Sequence, residues 1–272
     1  MVCPRFNLAN CMDRQHYRVV IAYNGSNYFG WQDLGDASEK PTIQSEVLQA
    51  LRKISKYAQC VVSGASRTDA GVHALGQVAK LSTELQIDPA KLHLGMNSLL
   101  PDDIRISTCE SCPADFNPNR DCVSKTYRYF FSIDEIGNPL LENIVAHVAL
   151  VQTDIQPGLE RMRSACKLFV GNHDFANFAV RDENLRTTVR TVFNVELHKS
   201  HGSDFGCDIY YVEIEGNGFL KYMVRYILGA LFAVGRGNID SATIEQALAE
   251  PGLDKLSPRA KSGGLHLIRI DY

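Results

Sequence analysis

The order in which strand-like and helix-like apolar patterns follow each other most constrains the fold of this chain. Residues 17–23 are rich in β-branched and aromatic side chains and end at Asn24-Gly25, which predicts a strand that enters a turn. Further strand-like runs lie at 60–62, 77–81 and 104–106, and helix-like runs lie at 42–56 and 88–100. This order of strand, helix, strand, strand, helix, strand predicts an α+β layer.

The second predicted helix has a clear start, because Pro89 follows Asp88 and proline is favoured at the first helical position. We expect that helix to bury Leu92, Met96 and Leu99 and to stop near Pro101.

The second half of the chain repeats this order loosely. Strands are predicted at 126–133, 189–197, 209–214 and 265–270, and helices at 159–170, 218–234 and 241–249. Gly171 is expected just past the end of the first of these helices. Two α+β halves of related order predict mostly antiparallel sheets joined edge to edge into one extended sheet, with a central cleft. We therefore predict an N-terminal α+β domain over 15–112 and a C-terminal α+β domain over 113–272, after a disordered segment at 1–14.

The composition is that of an ordinary soluble protein. Of 272 residues, 45% are hydrophobic and 22% are charged, and no apolar run approaches the ~20 residues of a membrane-spanning helix. Residues 1–14 contain no continuous hydrophobic segment, so a cytoplasmic protein without a secretory signal or membrane contact is expected. The net charge of −3 means that any binding to nucleic acid must come from local basic patches.

The eight cysteines do not predict a metal centre. Only Cys109 and Cys112 have the spacing of a metal or redox pair, and a structural zinc usually takes ligands from two such pairs. We therefore expect no metal and interpret the cysteines as reduced, mostly packed thiols.

The stretch from Ser63 to Ala74 carries the strongest functional signal. It lies between two strand-like runs, is rich in small residues, and holds one carboxylate, Asp69, with Arg67 two positions before it and His73 four positions after it. Asp69 is either an ordinary turn former or a catalytic group presented by a rigid sheet.

The order Arg67-Thr-Asp-Ala-Gly-Val-His73 resembles the signature of the tRNA pseudouridine synthase A (TruA) family. Six further blocks resemble the same family in the same order, from about residue 17 to the C-terminus. They are 23–32, 97–103, 125–129, 171–175, 219–225 and 264–265.

The resemblance implies the pseudouridine synthase fold, in which helices back a largely antiparallel sheet and an RNA-binding cleft crosses its open face. It implies an isomerase that converts uridine to pseudouridine in the anticodon arm of tRNA, at positions 38, 39 and 40. The partners implied are tRNA and a second copy of the chain in a homodimer. The reaction requires no redox change or energy input, so no cofactor is expected, in agreement with the lack of a dinucleotide or phosphate-binding glycine motif.

By this resemblance Asp69 is the catalytic residue, and Arg225 contacts it. On the predicted helix Lys221, Arg225 and Gly229 follow at i, i+4 and i+8, opposite the apolar stripe. A cation near the aspartate would favour its ionised form, whereas a closed cleft would favour protonation. The alternative is that Arg225 is a solvated charge on an exposed helix face.

Three further residues are assigned to substrate binding by the resemblance. Arg67 is implied to enter the RNA and hold the target base outside the helix, although it could also simply pair with Asp69. Tyr127 is more often a core aromatic by pattern alone, whereas the resemblance implies that it stacks on the flipped uracil. Leu265 matches the leucine that covers the base from the far side, but an inward-facing strand leucine has the same sequence pattern.

Two positions depart from the family pattern. Ser66 stands where the commonest form has glycine, which puts the backbone path of the loop in question, and Asn119 stands where an arginine is frequent, with Arg120 next to it. His73 has no catalytic part in the family and is interpreted as a loop or packing residue.

Two other functions remain open at this stage. One is an RNA-binding protein on the same scaffold without turnover, against which the intact Asp69, Tyr127 and Arg225 argue. The other is a metal-dependent hydrolase that uses Asp69, His73 and the Cys109-Cys112 pair.

Overall fold

The computed structural model describes residues 14–33, 35, 41–57, 59–133, 137–149, 155–180, 186–200, 206–252 and 254–272. The segment predicted to be disordered, 1–14, lies outside the described residues except for Arg14.

The described residues form strands and helices in an alternating order that confirms the predicted α+β class. The strands are β1 (Gln15–Tyr23), β2 (Cys60–Gly64), β3 (His73–Thr83), β4 (Ile104–Ser111), β5 (Ser124–Ser132), β6 (Ala146–His147), β7 (Gly171–Asp174), β8 (Val189–Lys199), β9 (Ile209–Gly216) and β10 (Leu265–Asp271). The helices are α1 (Ile43–Ile54), α2 (Pro89–Leu99), α3 (Gln156–Cys166), α4 (Met223–Gly235) and α5 (Ser241–Ala249).

All ten described strands belong to one extended sheet with the order β4-β1-β3-β10-β5-β9-β8-β7. Strand β2 pairs with β3, and β6 pairs with β5. The pairing is antiparallel except for β10 with β3 and β5 with β6, which are parallel. The two halves are not joined directly, because the C-terminal strand β10 lies between β3 of the first half and β5 of the second. The boundary at residue 112 remains a prediction.

Helices α1 and α2 pack on each other and on the first half of the sheet, whereas α3 packs on α4 and β8. Their apolar faces follow the predicted helical spacing, and Leu92 and Met96 of α2 are fully buried. Leu99 is 41% exposed, so the prediction that it is buried was wrong. It is the last residue of α2, at the point where the chain leaves the sheet surface for Pro101.

Helix α4 begins at Met223 and not at the predicted Gly218. Tyr222, which precedes it, has a left-handed backbone (φ 64°, ψ 5°) that no α-helix can contain. Lys221 therefore lies before the helix, and the predicted ridge of Lys221, Arg225 and Gly229 along one helix does not exist. Helix α4 is also buried on nearly all sides, so it has no solvated face of the predicted kind.

The helix predicted at 159–170 ends earlier. Helix α3 stops at Cys166 and continues only as a 3-10 turn, Lys167–Phe169. Gly171 lies just past the C-cap residue Val170 of that turn, as predicted, with φ +123°, and it is also the first residue of β7. None of the helices within the described residues is both long enough and apolar enough to span a bilayer.

Candidate active site

The loop that carries Asp69 joins β2 to β3 and is fixed where it leaves the sheet. The Ala65 amide donates to the Val78 carbonyl at 2.8 Å. The Gln77 side chain accepts from the Ser66 amide at 3.1 Å and donates to the Ser66 carbonyl at 2.7 Å. Gln77 is fully buried, so these hydrogen bonds are shielded from water, and they hold one residue of the loop through both of its backbone groups.

Strand β5 holds the same two residues from the other side. The Lys125 ammonium donates to the Ala65 carbonyl at 2.7 Å, and the Tyr127 hydroxyl lies 2.7 Å from the Ser66 hydroxyl. Lys125 and Tyr127 are two residues apart on one strand, so both side chains leave the same face of the sheet. The start of the loop is therefore held between β3 and β5.

The middle of the loop rests on residues from the turn after β1. The Trp31 amide donates to the Thr68 carbonyl at 3.0 Å, and the Tyr23 hydroxyl lies 2.7 Å from the Thr68 hydroxyl. Gly30 has φ +91°, and a Cβ there would lie 2.6 Å from the Thr68 carbonyl oxygen. This close approach requires glycine at position 30. The Trp31 side chain is itself buried.

The Asp69 carboxylate is largely buried and faces one guanidinium. Its side chain is 21% exposed, and its Oδ2 lies 3.3 Å from a terminal nitrogen of Arg225, whose side chain is 11% exposed. Burial raises the pKa of Asp69 above the usual value, and Arg225, Arg259 and Lys221 each oppose this by favouring the ionised form. The predicted contact between Asp69 and Arg225 is present, and burial outweighs it in setting the pKa.

Arg225 is held in place by the segment that precedes β10. Its Nε donates to the Ala260 carbonyl at 2.8 Å, and the Ala260 amide donates to the Arg225 carbonyl at 2.9 Å. One turn along α4, a Cβ on Gly229 would lie 2.2 Å from the Pro258 carbonyl oxygen. The absence of a side chain at Gly229 therefore lets this segment lie against α4 and fix the arginine.

Tyr127 is both a core aromatic and a neighbour of the aspartate. It is buried, its ring meets the Phe219 ring edge to face at a centroid distance of 5.4 Å, and its hydroxyl reaches Ser66. Burial raises the pKa of Tyr127 to about 12, with the negative charge of Asp69 contributing, so the phenol is protonated at neutral pH.

The other two assigned residues occupy different environments. Arg67 is exposed, and within the described part of the chain Asp69 forms its ion pair with Arg225 and not with Arg67. Leu265 is the first residue of β10, is buried, and pairs in register with Tyr129. Their roles toward RNA stay predictions.

His73 is not available as a general base. It is the first residue of β3 and is buried. Its Nδ1 accepts from the Gly25 amide at 3.2 Å, so Nε2 carries the proton that is donated to the Asn143 carbonyl at 2.6 Å. Both ring nitrogens are thus engaged in packing the loop end, as the packing interpretation predicts. The hydrolase alternative therefore loses its base.

The cysteine pair also adds nothing to this site. Burial raises the pKa of the Cys109 thiol to about 11 and that of the Cys112 thiol as well, so both are protonated at neutral pH. Among the described residues no group of three or more His, Cys, Asp or Glu side chains is arranged to hold a metal.

Sequence reasoning did not identify Gln77, Lys125 and Arg259. Gln77 carries a weak signal, because it is a polar residue at the start of an apolar strand run, and Lys125 is a cation on a strand that proves to be central. Arg259 lies in a loop with no pattern. Ser66, which stands where the family commonly has glycine, contacts the Tyr127 hydroxyl. Arg120, which follows the unusual Asn119, pairs with Asp121 at 2.6 Å.

The arrangement suits chemistry by a lone carboxylate. An anchored loop presents Asp69 to the Arg225 guanidinium, and the protonated Tyr127 phenol lies close enough to be influenced by the charge of Asp69. Such a carboxylate can act as a nucleophile or take a proton, and the neighbouring cations increase its ionised fraction.

Comparison with known proteins identifies the family. The sequence profile of a family described as tRNA pseudouridine synthase matches residues 19–119 and 165–272. The chain is 46% identical to tRNA pseudouridine synthase A 2 of Desulfotalea psychrophila over 260 residues, which cover 94% of this chain and 98% of that protein. It is 36% identical to tRNA pseudouridine synthase A 2 of Clostridium tetani, over 95% of this chain and 99% of that protein.

A structural comparison adds little to this. The archaeal box H/ACA sRNP Nop10-Cbf5 complex aligns with 93% of this chain and 46% of its own, at 10% identity and a TM-score of 0.30, which is too low to support any argument. The sequence matches span nearly the whole length of this chain and of its relatives, and on them the chain belongs to the tRNA pseudouridine synthase A family.

Proposed function

We propose that this protein isomerises uridine to pseudouridine in the anticodon arm of tRNA, with Asp69 as the catalytic residue. The observation that carries the proposal is the largely buried ion pair, 3.3 Å long, between Arg225 of α4 and Asp69, whose loop is hydrogen-bonded to two central strands. The relatives named as tRNA pseudouridine synthases support the same reaction.

The reaction breaks the bond from N1 of uracil to C1′ of ribose, turns the base, and forms a bond from C5 to C1′. The hydrogen on C5 leaves as a proton, and N1 gains one, so no electrons are exchanged with a cofactor. Asp69 supplies the negative charge that this sequence needs, either as the nucleophile or as the proton acceptor.

The surrounding residues would prepare that carboxylate. Arg225 increases the ionised fraction of Asp69 at neutral pH and fixes its orientation. Tyr127, held by Ser66 with a protonated hydroxyl, offers a ring and a proton donor beside the reacting base. Arg67 is exposed next to the site, where it can contact RNA and help hold the target base out of its stack.

The proposal extends to partners and location. We infer that the substrate is a whole tRNA, that two copies of the chain bind it as a homodimer, and that the protein works in the cytoplasm. Light scattering of the purified chain, alone and with tRNA, tests the dimer. A monomer in both samples would contradict it.

The decisive experiment replaces Asp69 with asparagine, which keeps the shape of the side chain and removes its charge. We expect Asp69→Asn to bind unmodified tRNA and to release no tritium from C5-labelled uridine in the anticodon arm. Asp102→Asn, the same change at an exposed carboxylate, should keep normal turnover and serves as the control.

Full turnover by Asp69→Asn would reject the catalytic assignment. If instead the unaltered protein binds tRNA and never releases tritium, the alternative of RNA binding without turnover would be favoured. Mapping pseudouridine in tRNA from cells that lack the protein identifies the modified uridines.

A further inference from the structure

Three cations surround the ring of Tyr222, at the start of α4. The Arg259 guanidinium carbon lies 4.1 Å from the ring centroid, and the Lys221 ammonium and the Arg225 guanidinium carbon each lie 5.4 Å from it. An aromatic face attracts cations, and here it gathers three of them from two separate segments of the chain.

The two outer cations of this cluster have no carboxylate partner within the described residues. Arg225 forms its ion pair with Asp69, whereas Lys221 and Arg259 appear in no ion pair of the described chain. Both are exposed, and Tyr222 is half-buried. Among the described residues, three positive charges thus lie near one negative charge, and both Lys221 and Arg259 are exposed.

A nearby lysine shows what a purely structural cation looks like in this region. Lys255 lies over the Tyr226 ring at 5.4 Å, but its ammonium donates to the carbonyls of Ala176 and Ala179 at 2.9 and 2.6 Å. These hydrogen bonds give Lys255 a structural role. Lys221 and Arg259 differ from Lys255, because no side-chain hydrogen bond of either is found to another described residue.

The backbone at Tyr222 supports a functional interpretation. A left-handed conformation is unfavourable at a bulky residue and persists where the surroundings impose it, often at ligand sites. This conformation ends the preceding segment and places Lys221 outside the helix, so that its side chain can share the ring with Arg259.

We propose that Lys221, Tyr222 and Arg259 form a binding site for a phosphodiester group of the RNA, beside the uridine that reacts at Asp69. This inference rests on the proposed function, because it takes the ligand to be the phosphate adjacent to the target nucleotide. Arginine and lysine are the usual partners of RNA phosphates, and a guanidinium stacked on an aromatic ring presents its donors in a fixed plane.

The position of the cluster explains why it would act on the target nucleotide and not elsewhere on the RNA. Arg259 and Lys221 share the Tyr222 ring with Arg225, whose guanidinium lies 3.3 Å from the Asp69 carboxylate, and both favour the ionised form of Asp69. A phosphate bound there would anchor the backbone of the flipped nucleotide and bring its sugar toward Asp69. The cluster thus offsets part of the free energy that base flipping requires.

The test measures RNA affinity with the full chain, so it does not depend on turnover. The probes are an anticodon-arm RNA hairpin and two versions of it in which the phosphate 5′ or 3′ of the target uridine is a neutral methylphosphonate. For unaltered protein we expect one of the two substitutions to weaken binding about three- to tenfold. Arg259→Gln should weaken binding of the normal hairpin by a similar factor. This variant should bind the sensitive methylphosphonate hairpin no more weakly than it binds the normal hairpin.

Salt dependence and matched variants complete the test. The slope of log Kd against log salt should fall by roughly 0.7–0.9 for each of Arg259→Gln and Lys221→Gln. Lys53→Gln removes an exposed charge at the end of α1 and should change neither the slope nor the methylphosphonate effect. Tyr222→Phe keeps the ring and should bind normally, whereas Tyr222→Leu should resemble Arg259→Gln.

The inference is overturned if Arg259→Gln and Lys221→Gln behave like Lys53→Gln, or if the hairpin does not bind. It is also overturned if the methylphosphonate substitution weakens binding to Arg259→Gln by the same factor as binding to the unaltered protein. Pseudouridine formation in whole unmodified tRNA is measured separately. Hairpin binding that follows the expected pattern, without conversion of whole tRNA, would reject the proposed function and leave the phosphate site supported.

Discussion

At the scale of single residues, the ionisation of Asp69 is set by two opposing influences. Burial raises the pKa of the carboxyl, and Arg225 is the largest influence that lowers it. Because the proposed chemistry needs the ionised form, activity should rise with pH as Asp69 loses its proton. The cations around the site lower the pKa of Asp69. Activity should therefore rise at a lower pH than it would for an equally buried carboxyl without nearby cations.

Replacing Arg225 should therefore move the acid limb of the pH–rate profile. Arg225→Ala removes the main influence that lowers the pKa of Asp69, so the limb should shift to higher pH and the loss of kcat should be largest in acid. Arg225→Lys keeps a positive charge and should shift the limb less. Single-turnover rates from pH 5 to pH 9 provide the measurement, and an unmoved limb in Arg225→Ala would show that the pair does not control the charge.

The contact between Ser66 and Tyr127 predicts coupled effects on kcat. One hydrogen bond contributes about 1 kcal/mol, so Ser66→Ala should lower kcat roughly fivefold without changing KM for tRNA. If the serine acts through the tyrosine, the double variant Ser66→Ala with Tyr127→Phe should be no slower than Tyr127→Phe alone. Independent, multiplying losses would show that Ser66 does not position Tyr127.

At the scale of elements, the contact between α4 and the segment 257–260 holds the guanidinium in the site. A Cβ at Gly229 would lie 2.2 Å from the Pro258 carbonyl oxygen, so the segment could not keep its position against the helix. The same segment supplies the carbonyl that fixes Arg225 and carries Arg259.

Gly229→Ala should therefore affect stability and catalysis together. We expect the free energy of unfolding to fall by about 1–3 kcal/mol, as for other overpacked sites, and kcat to fall because Arg225 loses its support. Gly218→Ala is the matched control, since a Cβ there meets nothing within 4 Å. Urea unfolding and turnover measured on both variants make the comparison, and an unaffected kcat in Gly229→Ala would show that the segment does not support Arg225.

At the scale of the whole molecule, the two halves of the sheet meet at β10, and a histidine pair lies at this junction. His73 of β3 and His266 of β10 are register partners, and their rings stack at a centroid distance of 4.6 Å. Burial and the neighbouring His73 lower the pKa of His266 to about 4, and burial lowers the pKa of His73. The junction is therefore formed by neutral imidazoles.

This pair predicts a loss of stability in mild acid. The unfolded chain binds a proton at His266 below its ordinary pKa of about 6.5, whereas the folded chain does so only near pH 4, so the free energy of unfolding falls between these values. The His266 contribution to that fall should be roughly 2 kcal/mol between pH 7 and pH 5. The raised pKa of Asp69 acts in the opposite direction, so variants must be compared with the unaltered protein.

His266→Phe keeps a ring in the stack and removes the titration, so its stability should depend less on pH in this range. His198→Phe, which changes a histidine stacked on Tyr211 away from the junction, should keep the full dependence. Urea unfolding at pH 5, 6 and 7 measures both. An equal pH dependence in His266→Phe and the unaltered protein would contradict the role of the pair.

Much of the fold was predictable because local patterns and tertiary packing agree. The alternation in β1, the helical spacing of α2 and α5, and the turn chemistry around Asp69 all depend on neighbours in the sequence. Predictions failed at the ends of helices. Helix α4 begins later than predicted because Tyr222 adopts a left-handed backbone. Leu99 is exposed because it lies at the end of its helix.

The sequence by itself determined the α+β class and singled out the loop that carries Asp69, since each depends on contiguous stretches whose patterns are set by nearby residues. Only the tertiary structure decided that β10 joins the two halves, that Ser66, Gln77 and Lys125 hold the loop, and that Arg259 joins the cations around Asp69. The physical reason is the range of the interactions. Hydrogen bonds and charges act between groups that are close in space, and in this chain those groups are distant in sequence, by 60 residues for Ala65 and Lys125 and by 156 for Asp69 and Arg225.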